Sequence, residues 1–335
     1  MNLATRVRHR AFGRTLIELI VAMAIGMVIV IGVSALYLSS SGLSRTANQV
    51  STTEQTGQLA MLMIGEMLKV SGYGEIVGSD FVADGQTLMD GAHLRGCTGR
   101  RFTDPFPPYV APPGAPNIPD LNCTTAAGGD ALFVRYQAGP AAAEMQPAEA
   151  TRLTMRDCLA QTANQNEVLA TGSRAASGRI RPMAFSVIQL DAVNRTLDCR
   201  GNGGGAFQTM LRDVVEFRVF YRFDDAAYAS GLNGMAHGSP MGSSVRDAAF
   251  LNALAGPVDP WNYVVAVMVC LTIQGNEMGV GNAGTVNQPR CPNDAAEAEA
   301  GVNLTAATTD GRIRRSFSQV FTVRSRATGS PSVTL

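Results

Sequence analysis

From Leu19 to Ser44 the chain carries no charged residue, and Leu19–Leu38 is an unbroken run of Leu, Ile, Val, Ala, Met and Gly with one Ser and one Tyr. About 20 residues at 1.5 Å rise cross a hydrocarbon core of ~30 Å. The run can therefore span a membrane, with the span expected at about residues 16–38. The helical pattern does not stop there. Arg45–Val70 has no proline, and Ala60, Ile64, Met67 and Leu68 recur at three- and four-residue spacing, with Gln58, Glu66 and Lys69 elsewhere. One helix is predicted from about Arg14 to Ser71, roughly 85 Å long. Gly72-Tyr73-Gly74 supplies residues that tolerate the left-handed geometry of a helix end. Met61, Met63 and Met67 lie at helical spacing and read as core filler.

Beyond residue 72 the period changes from helical to alternating. Leu132, Val134 and Tyr136 share one face of a predicted strand, and Met183, Phe185 and Val187 one face of another. In Val215–Arg222, Val215, Phe217, Val219 and Tyr221 point one way and Glu216, Arg218 and Arg222 the other, so half should face water. Trp261–Gln274 is apolar on both faces: Trp261, Tyr263, Val265, Val267, Val269, Leu271 and Ile273 against Val264, Ala266, Met268 and Cys270. It reads as a buried central strand. A last strand is expected within Arg312–Arg326, with Phe317, Phe321 and Val323 on one side. Strands grouped after one long helix argue for an α+β fold with an antiparallel sheet packed on the helix. Asp104–Asp120 holds seven prolines and is expected to be an extended surface loop. Tyr228–Pro260 and Gly275–Gly311, rich in Gly, Ala, Asn and Ser, are also expected to be loops. No internal repeat is visible, which disfavours solenoids and propellers.

Composition narrows the function classes. The 335 residues are 46% hydrophobic but only 16% charged, with no net charge. That excludes a disordered solvating chain, and nucleic-acid binding through phosphate contacts is not expected. Lys69 is the only lysine, so Schiff-base and phosphate-loop chemistry lack their usual residue. Arg6, Arg8, Arg10 and Arg14 precede every acidic residue, which places the N-terminal flank in the cytoplasm and exports the chain beyond the span. A cleaved signal peptide, cut near Ser39-Ser40-Ser41, is the rival reading. The run is long for that, and it has a carboxylate at its start.

That carboxylate is Glu18. A charge at the edge of hydrocarbon costs about 2–3 kcal/mol, so a retained one has a partner or a function. Gly13-Arg14-Thr15-Leu16-Ile17-Glu18-Leu19 resembles the class III leader of type IV prepilins and type II secretion pseudopilins. The resemblance implies a leader, Met1–Gly13, removed by a prepilin peptidase that cuts after Gly13 and methylates the new amino terminus at Arg14. Arg14 stands where the family usually carries phenylalanine. Glu18 then lies at the family's fifth mature position, where it can pair with the terminal ammonium of a neighbouring subunit. Such a pair sets register between apolar helices, as one buried polar residue does in a coiled coil.

Asp213–Asp224, then Trp261 with Val264–Val267, then Arg312–Arg326 with its Arg-Arg-x-Phe pattern, resemble the blocks of the PilW family of minor pilins. The architecture is similar to the J-type pseudopilin of type II secretion. The resemblance implies a type IV pilin-like α+β fold: leader 1–13, long helix 14–71, and a periplasmic or extracellular head 72–335 with long loops. It implies an inner-membrane subunit with a cytoplasmic N-terminus, later carried to the pilus surface. It implies the prepilin peptidase, other minor pilins, the major pilin and a tip adhesin as partners.

Chemical sites are sparse by comparison. His9 lies in the leader, and His93 and His237 read as exposed loop residues. No Gly-x-Ser-x-Gly elbow surrounds a serine. Arg200–Gly205 is glycine-dense but lacks the following Lys-Ser/Thr of a phosphate loop. Asp224-Asp225 lacks the spaced carboxylates of a calcium loop and reads as a solvated turn. No catalytic residue, cofactor or metal site is expected. Cys97, Cys123, Cys158, Cys199, Cys270 and Cys291 all follow the span, an even number in the exported part, and no Cys-x-x-Cys suggests metal. Six cysteines allow fifteen pairings, and the sequence does not choose; the sequential one, Cys97–Cys123, Cys158–Cys199 and Cys270–Cys291, is taken as the expectation. Two function classes stay open: a structural pilin subunit, of pilus or type II secretion system, and a membrane-anchored periplasmic enzyme or ligand-binding domain.

Overall fold

The computed structural model describes residues 15–72, 93–102, 122–125, 128–137, 157–161, 183–201, 206–230, 243–254, 259–276, 285–301 and 304–323. The expected leader Met1–Gly13, Arg14, Tyr73-Gly74, the expected loop Asp104–Asp120, Asn202–Gly205, His237 and the end of the last predicted strand, Arg324–Arg326, lie outside them. The chain divides into two compact units, Met1–Gln49 and Val50–Leu335, so the boundary falls inside the long helix.

Helix α1 runs from Leu16 to Lys69 without a break. In the first unit it is exposed on nearly every side, from Leu16 and Ile17 through Leu36, Tyr37 and Leu43. Many of these residues are β-branched and only fair helix formers in water. In lipid the helix is the one spanning segment that satisfies its own backbone, so the composition and the conformation agree. The few polar groups bond back to the helix: Ser41 Oγ donates to the Leu38 carbonyl at 2.9 Å, and Thr46 Oγ1 to that of Gly42 at 3.0 Å.

In the second unit the remainder of α1 buries Thr53, Gly57, Ala60, Met61, Ile64, Gly65, Met67 and Leu68. Met61 and Met67 are core residues, as the spacing implies, whereas Met63 is 39% exposed. The helix ends at Lys69, and Gly72 takes φ = 73° and donates its N–H to the Arg135 carbonyl at 2.9 Å.

The strands form two antiparallel sheets and a ribbon rather than one sheet. Strands β1 (Leu94–Cys97), β2 (Ala131–Gln137), β3 (Met183–Asp191), β4 (Thr196–Arg200) and β5 (Gln208–Arg212) pair in chain order. The second sheet combines β6 (Val214–Phe223), β7 (Ser244–Arg246), β8 (Val264–Gln274) and β11 (Arg314–Thr322) in the order β11-β8-β6-β7. β9 (Val286–Pro289) and β10 (Thr305–Thr308) make the ribbon. Short helices α2 (Asp225–Ser230), α3 (Ala248–Ala253) and α4 (Ala295–Ala300) decorate the head. One core draws on α1 and both sheets: Ile64 and Leu68 with Leu132, Val134, Ile188, Phe217, Tyr221, Trp261, Val267 and Leu271.

Four expectations are corrected. In β6 the register shifts between Val214 and Glu216, so Val214, not Val215, joins Phe217, Val219 and Tyr221 in the core. One extra residue in a bulge moves everything before it to the other face. Trp261 and Tyr263 precede β8 in a 3-10 turn, Pro260–Tyr263, which Asp259 caps by accepting from the Trp261 N–H at 3.1 Å. The stretches expected to be loops hold β7, α3, β9, α4 and β10. Asp224-Asp225 is not a solvated turn: Asp224 is buried and accepts from the Ala227 N–H at 3.0 Å, opening α2.

The glycines of α1 decide how closely it can lie on the second sheet. The Phe317 ring rests where a Cβ on Gly57 would be, and the Phe321 ring where a Cβ on Gly65 would be. Helix propensity alone favours any residue but proline over glycine there, by up to about 1 kcal/mol. Overpacking a filled site costs about 1–3 kcal/mol, so the notch should win. Gly65→Leu is expected to lower the thermal midpoint of the detergent-solubilised chain by several degrees, followed by near-ultraviolet circular dichroism. Gly42→Ala, in open space, should not lower it. Equal midpoints for Gly65→Leu and the parent would show that the ring does not depend on the notch.

Candidate functional site

Among the described residues, the start of α1 and the buried polar groups of the head are the two places where chemistry could reside. At the start of α1, the Thr15 carbonyl accepts from the Glu18 N–H at 3.1 Å and the Leu19 N–H at 3.3 Å, closing the first turn. Thr15-Leu16-Ile17-Glu18 is a Thr-x-x-Glu sequence, the pattern of a capping box. It gives Thr15 a role in starting the helix that an argument from the apolar run alone overlooks. Glu18 lies in the first turn, where a carboxylate meets the positive end of the helix dipole. In the single chain Glu18 is exposed, surrounded by exposed Leu16, Ile17, Leu19 and Ile20. A lone carboxylate on an otherwise apolar helix end suits pairing with a cation from another molecule. Gly13 and Arg14 lie outside the described residues.

Among the described residues, several polar groups of the head hold its elements together. Asp130, buried ahead of β2, accepts from the Gly99 N–H at 2.6 Å and the Val219 N–H at 2.8 Å, and pairs with Arg218 at 3.3 Å. It thus ties the first sheet to β6 of the second. Burial pushes its carboxyl above the usual carboxylate range, while those donors pull it back down. Glu216 accepts from Thr272 Oγ1 at 2.7 Å and the Cys291 N–H at 2.8 Å. Arg95 pairs with Asp259 at 2.5 Å and lies over the Trp261 ring, whose Nε1 donates to Asn252 Oδ1 at 3.1 Å. Burial lowers the Arg95 pKa from its ordinary value, against the raising effect of Asp259. Glu297, bonded to Arg290 by two contacts of 2.7 Å, is held down to about 2 by that guanidinium.

His93 is fully buried, not an exposed loop residue; its carbonyl accepts from Ser71 Oγ at 3.2 Å and the Arg135 N–H at 2.8 Å. It sits where the end of α1 meets β2, which explains its burial. Arg200 ends β4 and is buried. Among the described residues no group of three or more His, Cys, Asp and Glu could hold a metal. Disulfides join Cys97 to Cys123, Cys158 to Cys199 and Cys270 to Cys291, with Cα atoms 5.7, 6.4 and 5.7 Å apart. The first fastens β1 to the bridge between Phe102 and Cys123, the second holds residues 157–161 to β4, and the third fastens β8 to the segment after β9. Closing loops of this length contributes roughly 3–4 kcal/mol each in the chain-entropy account.

The family model for the prokaryotic N-terminal methylation motif matches residues 8–34, a segment that contains Gly13, Arg14 and Glu18. Among solved structures, a type IV-like pilin from Thermus thermophilus is similar, with 11% sequence identity and a TM-score of 0.34 over 84% of this chain and 99% of that one. No curated protein sequence matches the chain. A prepilin-type motif opens a long apolar helix ahead of an antiparallel β head, a pilin-like arrangement that points to a structural subunit. The motif also implies processing by a prepilin peptidase and assembly with other pilins.

Proposed function

We propose that the chain is a minor pilin of the type IV pilus: a low-abundance subunit that anchors in the inner membrane, packs its helix with other pilins to prime assembly, and rides at or near the filament tip. The observation that carries this reading is the methylation motif at residues 8–34, set on an unbroken helix whose front half exposes almost only apolar side chains. An apolar surface so long is stable only in lipid or against similar helices. The head supports the tip position, since a bulky, disulfide-braced head is hard to repeat along a close-packed shaft.

The mature amino terminus tests it. Intact-mass measurement of the chain extracted from membranes is expected to show a start at Arg14 with α1 retained. A start after Ser39–Ser41 would mean ordinary secretion, with the span discarded. Subunit counting in sheared pili should then find far fewer copies than of the major pilin.

A further inference from the structure

Five arginines of the head meet at one end of it. Gly57 of α1 touches the Phe317 ring and Gly65 the Phe321 ring. Eight residues of helix rise about 12 Å and four residues of strand about 13 Å, so α1 and β11 run parallel. The start of β11 therefore lies at the end of the head where α1 enters, at Val50. Arg314 and Arg315 open β11, and Arg312 stands just before it. Arg315 pairs with Ile273 of β8, and Ile273 with Val214 of β6, which puts Arg212 and Asp213 at the same end. The Arg195 carbonyl accepts from the Val214 N–H at 3.0 Å, adding the turn between β3 and β4. The carboxylates at this end do not balance the arginines. Asp310 is engaged by Arg314 and by Gln274 Nε2, each at 2.8 Å, and Asp191 by Arg101 at 2.8 Å. Asp213 and Glu54 remain, against Arg195, Arg212, Arg312 and Arg315. Arg212 and Arg315 are exposed, and Arg312 Nη1 and Arg314 Nε are buried with no acceptor among the described residues. Guanidinium donors so placed call for an anionic acceptor. At the far end, by contrast, Arg95 is paired with Asp259 at 2.5 Å and Arg246 with Asp225 at 3.3 Å.

We propose that this end of the head docks on the anionic headgroups of the bilayer that holds the span, with the arginines at the start of β11 and at the corner between β5 and β6 binding lipid phosphates. The bilayer is the one surface that the chain itself keeps within reach. Arg45 is the first charge after the apolar run and stands five residues before Val50, a stretch that covers about 18 Å even when fully extended. A guanidinium presents a planar fork of donors that matches a phosphate, and an anionic surface attracts every arginine near it. Arg312, Arg314 and Arg315 are far from the span in sequence. The fold brings them to the end of the head from which the chain leaves for the membrane. Such a contact fixes the height at which the head meets other membrane-anchored proteins. The proposal rests on the reading of residues 16–38 as a membrane span and on nothing else in the pilin reading.

The test uses the full chain in lipid nanodiscs of phosphatidylcholine, with or without phosphatidylglycerol. The cysteines are all paired, so Thr309→Cys, an exposed position beside Asp310, takes a single fluorophore. Its quenching by a nitroxide on the lipid headgroup reads the docking. Quenching is expected to rise severalfold when phosphatidylglycerol is added, and to fall back when salt shortens the screening length to about 3 Å at about 1 M. Each arginine near a charged surface strengthens binding about fivefold, so Arg212→Ala combined with Arg315→Ala should lower the docked-to-free ratio about tenfold or more. Both side chains are exposed, and the head should keep its protease resistance. A second label, at Ser40→Cys near the outer end of the apolar run, tells the two readings apart. If Ser40 is quenched in every disc while Thr309 quenching ignores phosphatidylglycerol or survives the double variant, the docking is overturned and the span stands. The arginines would then serve an acidic protein face. If Ser40 is not quenched, the span falls and the docking falls with it.

Discussion

Gly13→Val is expected to keep Met1–Gly13, while the parent loses them. A peptidase that cuts after Gly13 must bring the backbone close to its catalytic groups, and glycine offers no side chain to obstruct that approach. Valine adds a branched Cβ at the one place where bulk matters. The span is untouched, so the variant should still insert, with its arginines held on the cytoplasmic side. The retained leader keeps Arg6, Arg8 and Arg10 attached to the apolar helix. No new terminal ammonium should then form, and assembly with other pilins should fail. Mass measurement of both chains from membranes reads the outcome, which should be close to all-or-none. If both chains lose Met1–Gly13, or both keep it, Gly13 is not the determinant and the prepilin reading falls.

The elements visible in the sequence are those whose pattern is set by the solvent each face meets. α1 is legible because twenty consecutive apolar residues have no other stable state in lipid, and β8 because both its faces are buried. What escaped was decided by one residue at a time. The bulge at Val215 leaves no trace in an alternating pattern, since Val214 and Val215 are equally apolar. α4 lies in a stretch whose composition says loop, yet Asp294-Ala295-Ala296-Glu297 carries a helix-start signal, and Asp294 accepts from the Glu297 N–H at 2.8 Å. The notches at Gly57 and Gly65 depend on Phe317 and Phe321, partners far along the chain that no local window contains. His93 has a polar neighbourhood in sequence and a buried one in space, because the end of α1 closes over it. Of the candidate site, Glu18 stood out as the one charge in an apolar helix end, whereas Thr15, whose carbonyl closes the first turn, gains its place only once the helix start is fixed.

Glu18→Ala is expected to separate processing from assembly. Removing a charge makes the helix start more apolar and leaves Gly13 alone, so insertion and cleavage should proceed as in the parent. Lateral association should fail. If Glu18 pairs with the terminal ammonium of a neighbouring pilin, the variant leaves that ammonium in an apolar bundle with no counter-charge. Breaking such a pair costs about 3–5 kcal/mol, a hundredfold or more in an association constant. Arg14 enters the balance because its guanidinium would stand beside the same ammonium once the leader is gone, giving Glu18 a second cation to meet. Glu18→Gln then becomes informative: it keeps the shape and the hydrogen-bonding oxygen but not the charge, and should resemble alanine if the pair is ionic. The measurement is co-purification of the processed variants with other pilins from membranes, together with a count of surface pili. Glu18→Asp, which keeps the charge on a shorter stem, should recover part of both. Normal complexes and normal piliation with Glu18→Ala would show that this carboxylate does not set the register between helices, and would return the apolar helix to the role of a plain membrane anchor.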